Sequence, residues 1–237
     1  MMGRTHALSG AAAWLAAAPP VVESLDAPLG AIELAAGTVV AAGAALLPDL
    51  DHRNSTIARA LGPGTVLLAV AVSRAAGGHR NGTHSLAFLA LAPGAAWLLL
   101  RTPAARTFAV LAGLVCVALA LRAAGPQQMR GRSLLDLPLA AVAVALTALG
   151  SSSITTLAWL PVALAVGIAC HLLGDLGGRG IPLLWPLRRR CAISAVPTTG
   201  GPADRILATA LLAVVALLTY QAFLAPHGEP TISAAIR

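Results

Sequence analysis

The sequence predicts an all-α, polytopic membrane bundle with a cluster of metal-ligating side chains at its cytoplasmic face. Of its 237 residues, 57% are apolar and 11% are charged, and the mean hydropathy is +0.81. Soluble domains carry about 25% charged residues. An excess of alanine, with 23 glycines and only 3% aromatic residues, favours thin helices that pack closely in lipid. This composition excludes a soluble globule, a disordered chain and a collagen-like chain.

Seven apolar segments predict membrane-spanning helices, the shorter ones with the help of flanking residues. They are residues 7–22, 28–47, 85–100, 107–121, 134–150, 154–173 and 206–225. A further apolar stretch, residues 66–72, is too short to cross and lies between glycine-rich flanks, so it is predicted to be re-entrant or interfacial. No linker divides the chain. We therefore expect a single integral membrane domain over residues 1–237.

Arginine placement predicts the orientation of this bundle. All 16 basic residues are arginine, and against nine acidic residues they give a net charge of +7. With seven spans, thirteen arginines fall on one face and three on the other. The larger group is Arg4, Arg53, Arg59, Arg74, Arg80, Arg122, Arg130, Arg132, Arg179, Arg188, Arg189, Arg190 and Arg205, and the smaller is Arg101, Arg106 and Arg237. The positive-inside rule makes the first face cytoplasmic. The charge thus signals topology, and no nucleic-acid partner is expected.

Five of the six histidines lie at or beside predicted cytoplasmic span ends. His6 precedes the first span, His52 follows the second, His79 and His84 precede the third, and His171 ends the sixth. The span prediction used segment length and arginine placement only. The gathering of histidines on one face is therefore an independent indication of a shared site.

Carboxylates accompany these histidines. Asp49 and Asp51 flank Leu50 directly after the second span, and Asp175 lies four residues after His171, on the same helix face. Taken singly, such residues are more often helix caps, orientation signals or structural hydrogen-bonding groups. Together they favour a divalent metal centre that suits Zn²⁺, Mn²⁺ or Fe²⁺, and the residue types do not choose among these metals. The candidate ligands are His6, Asp49, Asp51, His52, His79, His84, His171 and Asp175.

Further residues are expected to support chemistry around such a centre. Asp51 is the predicted general base, and Arg80 can hold an anionic oxygen bidentately. Thr83 and Ser85 are expected to orient the ligands. Trp185 has the character of an interfacial anchor, and the Arg188–Arg190 run behind it can attract anionic lipid headgroups. The expected partners are membrane lipid and a phosphoester substrate.

These motifs together resemble the YdjM-like family of LexA-regulated, membrane-bound, metal-dependent hydrolases. The matching pieces, in the family's order, are His6, Leu47-Pro48-Asp49-Leu50-Asp51-His52, His79-Arg80, Thr83-His84-Ser85, His171 with Asp175, and Gly180-Ile181-Pro182-Leu183-Leu184-Trp185-Pro186. They cover residues 6–190. Asn81 departs from the glycine common in the family, and the segment from Arg101 to Leu134 is longer than in small members. The resemblance implies a bacterial inner-membrane hydrolase with a divalent metal. The chain also resembles, less closely, zinc-dependent phospholipase C.

Three functions stay open from the sequence. The leading one is a metal-dependent hydrolase acting on a phosphoester or lipid-like substrate at the cytoplasmic membrane face. The second is a transporter or ion-binding membrane protein, which predicts polar residues inside the spans; here Glu33 and Asp136 lie in spans, both near the ends. The third is a non-catalytic membrane protein that responds to DNA damage.

Overall fold

The computed structural model describes residues 2–23, 29–55, 57–59, 63–102, 113, 115–121, 123, 157–178, 180–187, 189–193 and 200–225. Helices dominate these ranges, and no β-strand occurs in them apart from one isolated bridge between Ile181 and Cys191. The predicted all-α class is therefore confirmed for the part of the chain that the structure describes.

The helices are named here in chain order. They are α1 (Gly3–Glu23), α2 (Ala31–Ala44), a first 3-10 helix (Leu47–Asp51), α3 (Pro63–Ala75), a second 3-10 helix (Gly82–His84), α4 (Leu86–Leu100), α5 (Trp159–Leu176) and α6 (Pro202–Phe223). Residues 115–121 are also helical.

Three stretches of the described chain are long and apolar enough to cross a membrane, judged by length and composition. They are Ala31–Asp51, Trp159–Leu176 and Pro202–Phe223, and they match the second, sixth and seventh predicted spans. α3, which contains residues 66–72, has 13 residues and is about 20 Å long, so it is too short to cross, as expected.

The prediction of seven crossings is not supported. α4 has only 15 residues, which is about 22 Å of helix against a hydrocarbon core of about 30 Å. α1 is long enough at 21 residues, but Arg4, Thr5 and His6 make its first turn polar. The predicted span at residues 134–150, and most of the one at 107–121, lie outside the described residues.

The core of the bundle is formed where α1, α2 and α5 pack against one another, with α6 against α1 and α4 against α5. Trp14 is fully buried there, and its indole Nε1 donates a hydrogen bond to the Leu34 carbonyl at 2.9 Å. Gly10 and Gly167 both face the backbone of α2, and a Cβ on either would overlap the carbonyl oxygen of Ala41. Glycine therefore lets α1 and α5 approach α2 at backbone distance.

The polar ends of these helices meet at one end of the bundle. Asp204, at the start of α6, is buried and accepts hydrogen bonds from Met2 N (3.0 Å), Thr5 Oγ1 (2.8 Å) and Gly200 N (2.8 Å). The start of α1 is thereby joined to the start of α6. His171, near the end of α5, contacts the end of α2 and the start of α1. Its Nδ1 lies 2.7 Å from the Ala45 carbonyl oxygen, and its ring stacks on that of His6. Every predicted ligand is thus delivered to a single end of the bundle.

Replacing Gly167 by alanine is expected to destabilise the protein by about 1–3 kcal/mol, because the added methyl group overlaps α2 and pushes α5 outwards. The midpoint of thermal unfolding of detergent-purified protein measures the effect. Gly94→Ala in α4 is the matched control, since no described atom lies within 4 Å of its added Cβ. That variant should unfold at the wild-type midpoint or slightly above it. Equal midpoints for the two variants would contradict the close packing of α5 on α2.

Candidate metal centre

Four separate elements bring ionisable side chains together at the polar end of the bundle. α1 provides His6, the first 3-10 helix Asp49, the second 3-10 helix His84, and the last turns of α5 His171 and Asp175. All are buried except Asp49, whose side chain is 25% exposed. Burying so many ionisable groups is costly unless they pair with one another or bind a cation.

The distances among these groups are those expected for ligands of one ion. The Nε2 atoms of His84 and His171 are 3.2 Å apart. Asp175 Oδ2 lies 3.4 Å from the first and 3.6 Å from the second, and Asp49 Oδ1 lies 3.7 Å and 3.8 Å from them. Two atoms bound to the same ion at about 2.0–2.2 Å are roughly 3–4 Å apart. The donor set therefore fits a divalent transition metal.

Hydrogen bonds orient both imidazoles so that Nε2 faces the centre. His171 Nδ1 lies 2.7 Å from the Ala45 carbonyl oxygen. A carbonyl can only accept, so Nδ1 carries the proton and Nε2 keeps its lone pair. His84 Nδ1 lies 3.0 Å from Thr83 Oγ1, which itself donates to Asp51 at 2.6 Å. The His84 Nδ1 therefore also donates.

Asp51 joins the first 3-10 helix to the loop at residues 79–84. Its Oδ1 lies 2.7 Å from His79 Nδ1, and its Oδ2 accepts from Arg80 N at 2.9 Å and from Thr83 Oγ1. Arg80 has a φ of 58°, a left-handed conformation uncommon for a non-glycine residue. The bond from its backbone N–H to Asp51 helps to hold it there. Asp51 thus fixes the loop that carries His84.

His6 extends the centre on its buried side. Its ring stacks on His171 with centroids 4.0 Å apart, and its Nε2 lies 3.6 Å from Asp175 Oδ1. Its buried Nδ1 has no hydrogen-bond partner among the described residues. His6, His171 and Asp175 form one possible ligand group, and Asp49, His84 and His171 form a second that shares His171.

The exposed side of the centre carries His79 and Arg80. His79, whose side chain is 37% exposed, forms a third possible ligand group with Asp49 and Asp51. The Arg80 guanidinium pairs with Asp175, with Nε 3.2 Å from Oδ2 and Nη2 3.2 Å from Oδ1. The Arg80 guanidinium, which was predicted to hold an anionic oxygen, therefore lies at the edge of the centre.

Two predicted residues take other places. His52 belongs to none of the ligand groups found among the described residues, and its ring packs against His79 at 4.6 Å between centroids. Ser85 is the N-cap of α4. Its hydroxyl donates a hydrogen bond to the Gly82 carbonyl at 2.6 Å and accepts one from Phe88 N. Sequence reasoning did not identify the Ala45 carbonyl, because a backbone acceptor leaves no signal in the residue types.

Three carboxylates lie around His84 and stabilise its positively charged, protonated form. Burial by itself lowers the pKa of His84, but hydrogen bonds to Asp175, Asp49 and Asp51 raise it to about 10. Because Nδ1–H is already bonded to Thr83, the additional proton lies on Nε2. A metal can bind Nε2 only when that proton leaves, so metal binding here is coupled to proton release.

Comparison with known proteins identifies a family that this chain matches. A family model described as YdjM inner membrane protein matches residues 1–124 of the 237. The matched part contains His6, Asp49, Asp51, His79 and His84, whereas His171 and Asp175 follow it. No curated protein and no solved structure matches the chain.

The wild-type protein is expected to purify with a divalent transition metal, and the double variant His84→Ala, Asp175→Ala is expected to lose it, because the two ligand groups that share His171 each lose one member. Elemental analysis of detergent-purified, monodisperse protein measures the metal content. His52→Ala removes a nearby imidazole that lies outside the ligand groups, and should keep the wild-type content. Metal retained in the double variant would show that the ion binds elsewhere.

Proposed function

The chain belongs to the YdjM inner membrane protein family, and from that premise we propose that it is a multi-pass, membrane-bound, divalent-metal-dependent hydrolase whose active site faces the cytoplasm. The convergence of His84 and His171 with two carboxylates is the observation that carries the proposal. Such mixed donors suit Zn²⁺ first, and Mn²⁺ or Fe²⁺ as alternatives. A bound ion of this kind acidifies a water molecule and polarises the scissile group.

The shape of the site supports catalysis over a purely structural role. A structural metal site is closed by its ligands, whereas a catalytic one keeps a position open. Here the buried side is closed by His6 and His171, and the partly exposed side chains of Asp49 and His79 leave the other side accessible. Water and substrate would enter at that side.

We assign proton transfer to the pair formed by Asp51 and His79. The sequence suggested Asp51 as the base, but both of its oxygens accept hydrogen bonds from the 79–84 loop. A carboxylate held in this way orients an imidazole and stabilises its positive charge. The partly exposed ring of His79 would then receive or deliver the proton at the open side, with Asp51 acting through it.

Arg80 favours an anionic substrate. A guanidinium has five N–H donors, and its two contacts with Asp175 leave donors for a phosphoryl oxygen. A phosphoester is therefore the preferred substrate. The centre also lies at the ends of apolar helices, the level at which lipid headgroups are found, so a lipid-like phosphoester fits both features.

Asp51→Asn is expected to leave the metal content nearly intact and to lower turnover of a phospholipid-like phosphoester by about 10²-fold or more, because the amide no longer stabilises a charged His79. If Asp51 acts through His79, adding Asp51→Asn to His79→Gln should slow the enzyme little further. Initial rates of the two single variants and the double variant, each corrected for metal content, test this.

Glu33→Gln is the matched carboxylate control, because Glu33 lies in the first turn of α2, at the other end from Asp49. It should keep wild-type turnover. If the double variant lost the product of the two single rate losses, Asp51 and His79 would act independently of each other. Wild-type rates in both variants with metal bound would contradict the assignment of proton transfer to this pair.

A further inference from the structure

The chain folds back after α5 into a short hairpin within residues 180–193, of which the structure describes 180–187 and 189–193. Gly180 allows the turn with a φ of 76°, a conformation that favours glycine. Ile181 and Cys191 then exchange two backbone hydrogen bonds of 3.0 Å, and an Arg190 guanidinium nitrogen lies 3.4 Å from the Gly180 carbonyl oxygen. These contacts define the base of the hairpin.

This base is anchored at the level of the metal centre. Ile181 is fully buried and packs with Ile168, Leu172 and Leu176 of α5. The Leu183 carbonyl accepts a hydrogen bond of 2.9 Å from the first backbone N–H of α4, directly after the loop that carries His84. The hairpin therefore lies where α5 ends and α4 begins.

The tip of the hairpin combines large apolar side chains with positive charge. Leu184, Trp185 and Leu187 are 61%, 36% and 64% exposed, and Arg189 and Arg190 are exposed beside them. Residues 180–193 contain no acidic residue. An apolar patch with a basic rim marks an interaction surface, and tryptophan with arginine is the combination typical of the headgroup level of a membrane.

We propose that the 180–193 hairpin binds the anionic headgroup layer of the membrane in which the protein lies. Leu184, Trp185 and Leu187 enter the interface, while Arg189 and Arg190 hold phosphate oxygens of anionic phospholipid. The membrane is favoured over a protein partner because the hairpin continues directly from a helix long enough to span it. For the hydrolase, and resting on the function proposed above, the substrate is a phospholipid that reaches the centre from the bilayer.

Quenching by brominated lipids tests this surface without reference to activity. The full chain is placed in nanodiscs of phosphatidylcholine with a minor fraction of phosphatidylglycerol, and one of the two lipids carries brominated chains. The Trp185 signal is the difference between wild type and Trp185→Phe. We expect brominated lipid to quench it, with phosphatidylglycerol enriched roughly fivefold or more over its bulk fraction.

Arg189→Gln, Arg190→Gln should abolish this enrichment while quenching by the total lipid remains. Arg101→Gln is the matched control, because Arg101 stacks over Trp97 at the other end of α4, with its guanidinium carbon 3.9 Å from the ring centroid. It should leave the Trp185 signal unchanged. A Trp185 that no lipid quenches, as it would be against water or a protein partner, overturns the proposal. If the two lipids quench Trp185 in proportion to their bulk fractions, the hairpin does not select anionic headgroups, and that part of the proposal is overturned.

The consequence for the substrate has its own measurement. In the Arg189→Gln, Arg190→Gln variant, the rate on bilayer phosphatidylglycerol divided by that on a short-chain soluble phosphoester should fall by about fivefold. An unchanged ratio overturns the inferred lipid substrate. Metal content is determined on the same samples. Protein without metal or turnover, but with selective quenching of Trp185, would refute the hydrolase and leave the headgroup surface standing.

Discussion

The hydrogen bond between His171 and the carbonyl of Ala45 is the contact on which the rest of the centre depends. Ala45 follows the last residue of α2, where carbonyl groups have no partner within the helix and would be costly to bury unbonded. His171 satisfies this carbonyl and is itself fixed with Nε2 towards the carboxylates. The bond forms because Gly167, one turn earlier on α5, admits the backbone of α2. The close packing of α5 on α2 therefore also fixes the orientation of the ligand His171.

A second set of contacts holds the remaining donors in position. Asp204 joins the start of α6 to the start of α1, so the first turn of α1 is fixed and His6 reaches the ring of His171. Asp51 does the same for the 79–84 loop. Neither carboxylate belongs to the two ligand groups that share His171. Both are buried and fully hydrogen-bonded, as a charged group in an apolar interior must be.

The convergence of His6, His84 and His171 could be predicted from the sequence because helices that cross a membrane alternate in direction. Residues at span ends then fall on one of two faces, and arginine placement separates the faces. The number of spans could not be predicted equally well, since a segment as short as residues 85–100 can either cross with the help of its flanking residues or end inside the hydrocarbon core, and α4 has only 15 residues. The separate roles of Asp49 and Asp51 follow from local geometry. They lie in a 3-10 helix, where residues two apart point about 120° from each other. Contact partners of single atoms, such as the Ala45 carbonyl, have no counterpart in the residue pattern.

One short segment, residues 77–80, lies between Trp185 of the hairpin and the exposed side of the centre. Gly77 and Gly78 have φ of 81° and 105°, and Arg80 follows at 58°. A Cβ on Gly77 would lie 3.9 Å from the indole Nε1 of Trp185, while the backbone of Arg80 is bonded to Asp51. The bond to Asp51 holds one end of the segment, and the positive φ of three of its residues limits which side chains it can carry. Asp51 thereby keeps His79 and Arg80 on the exposed side of the centre. Left-handed backbone conformations are concentrated in this segment because α3 ends at Ala75 and the chain turns back at once, so that the Gly82 N–H bonds the Ala76 carbonyl at 3.0 Å.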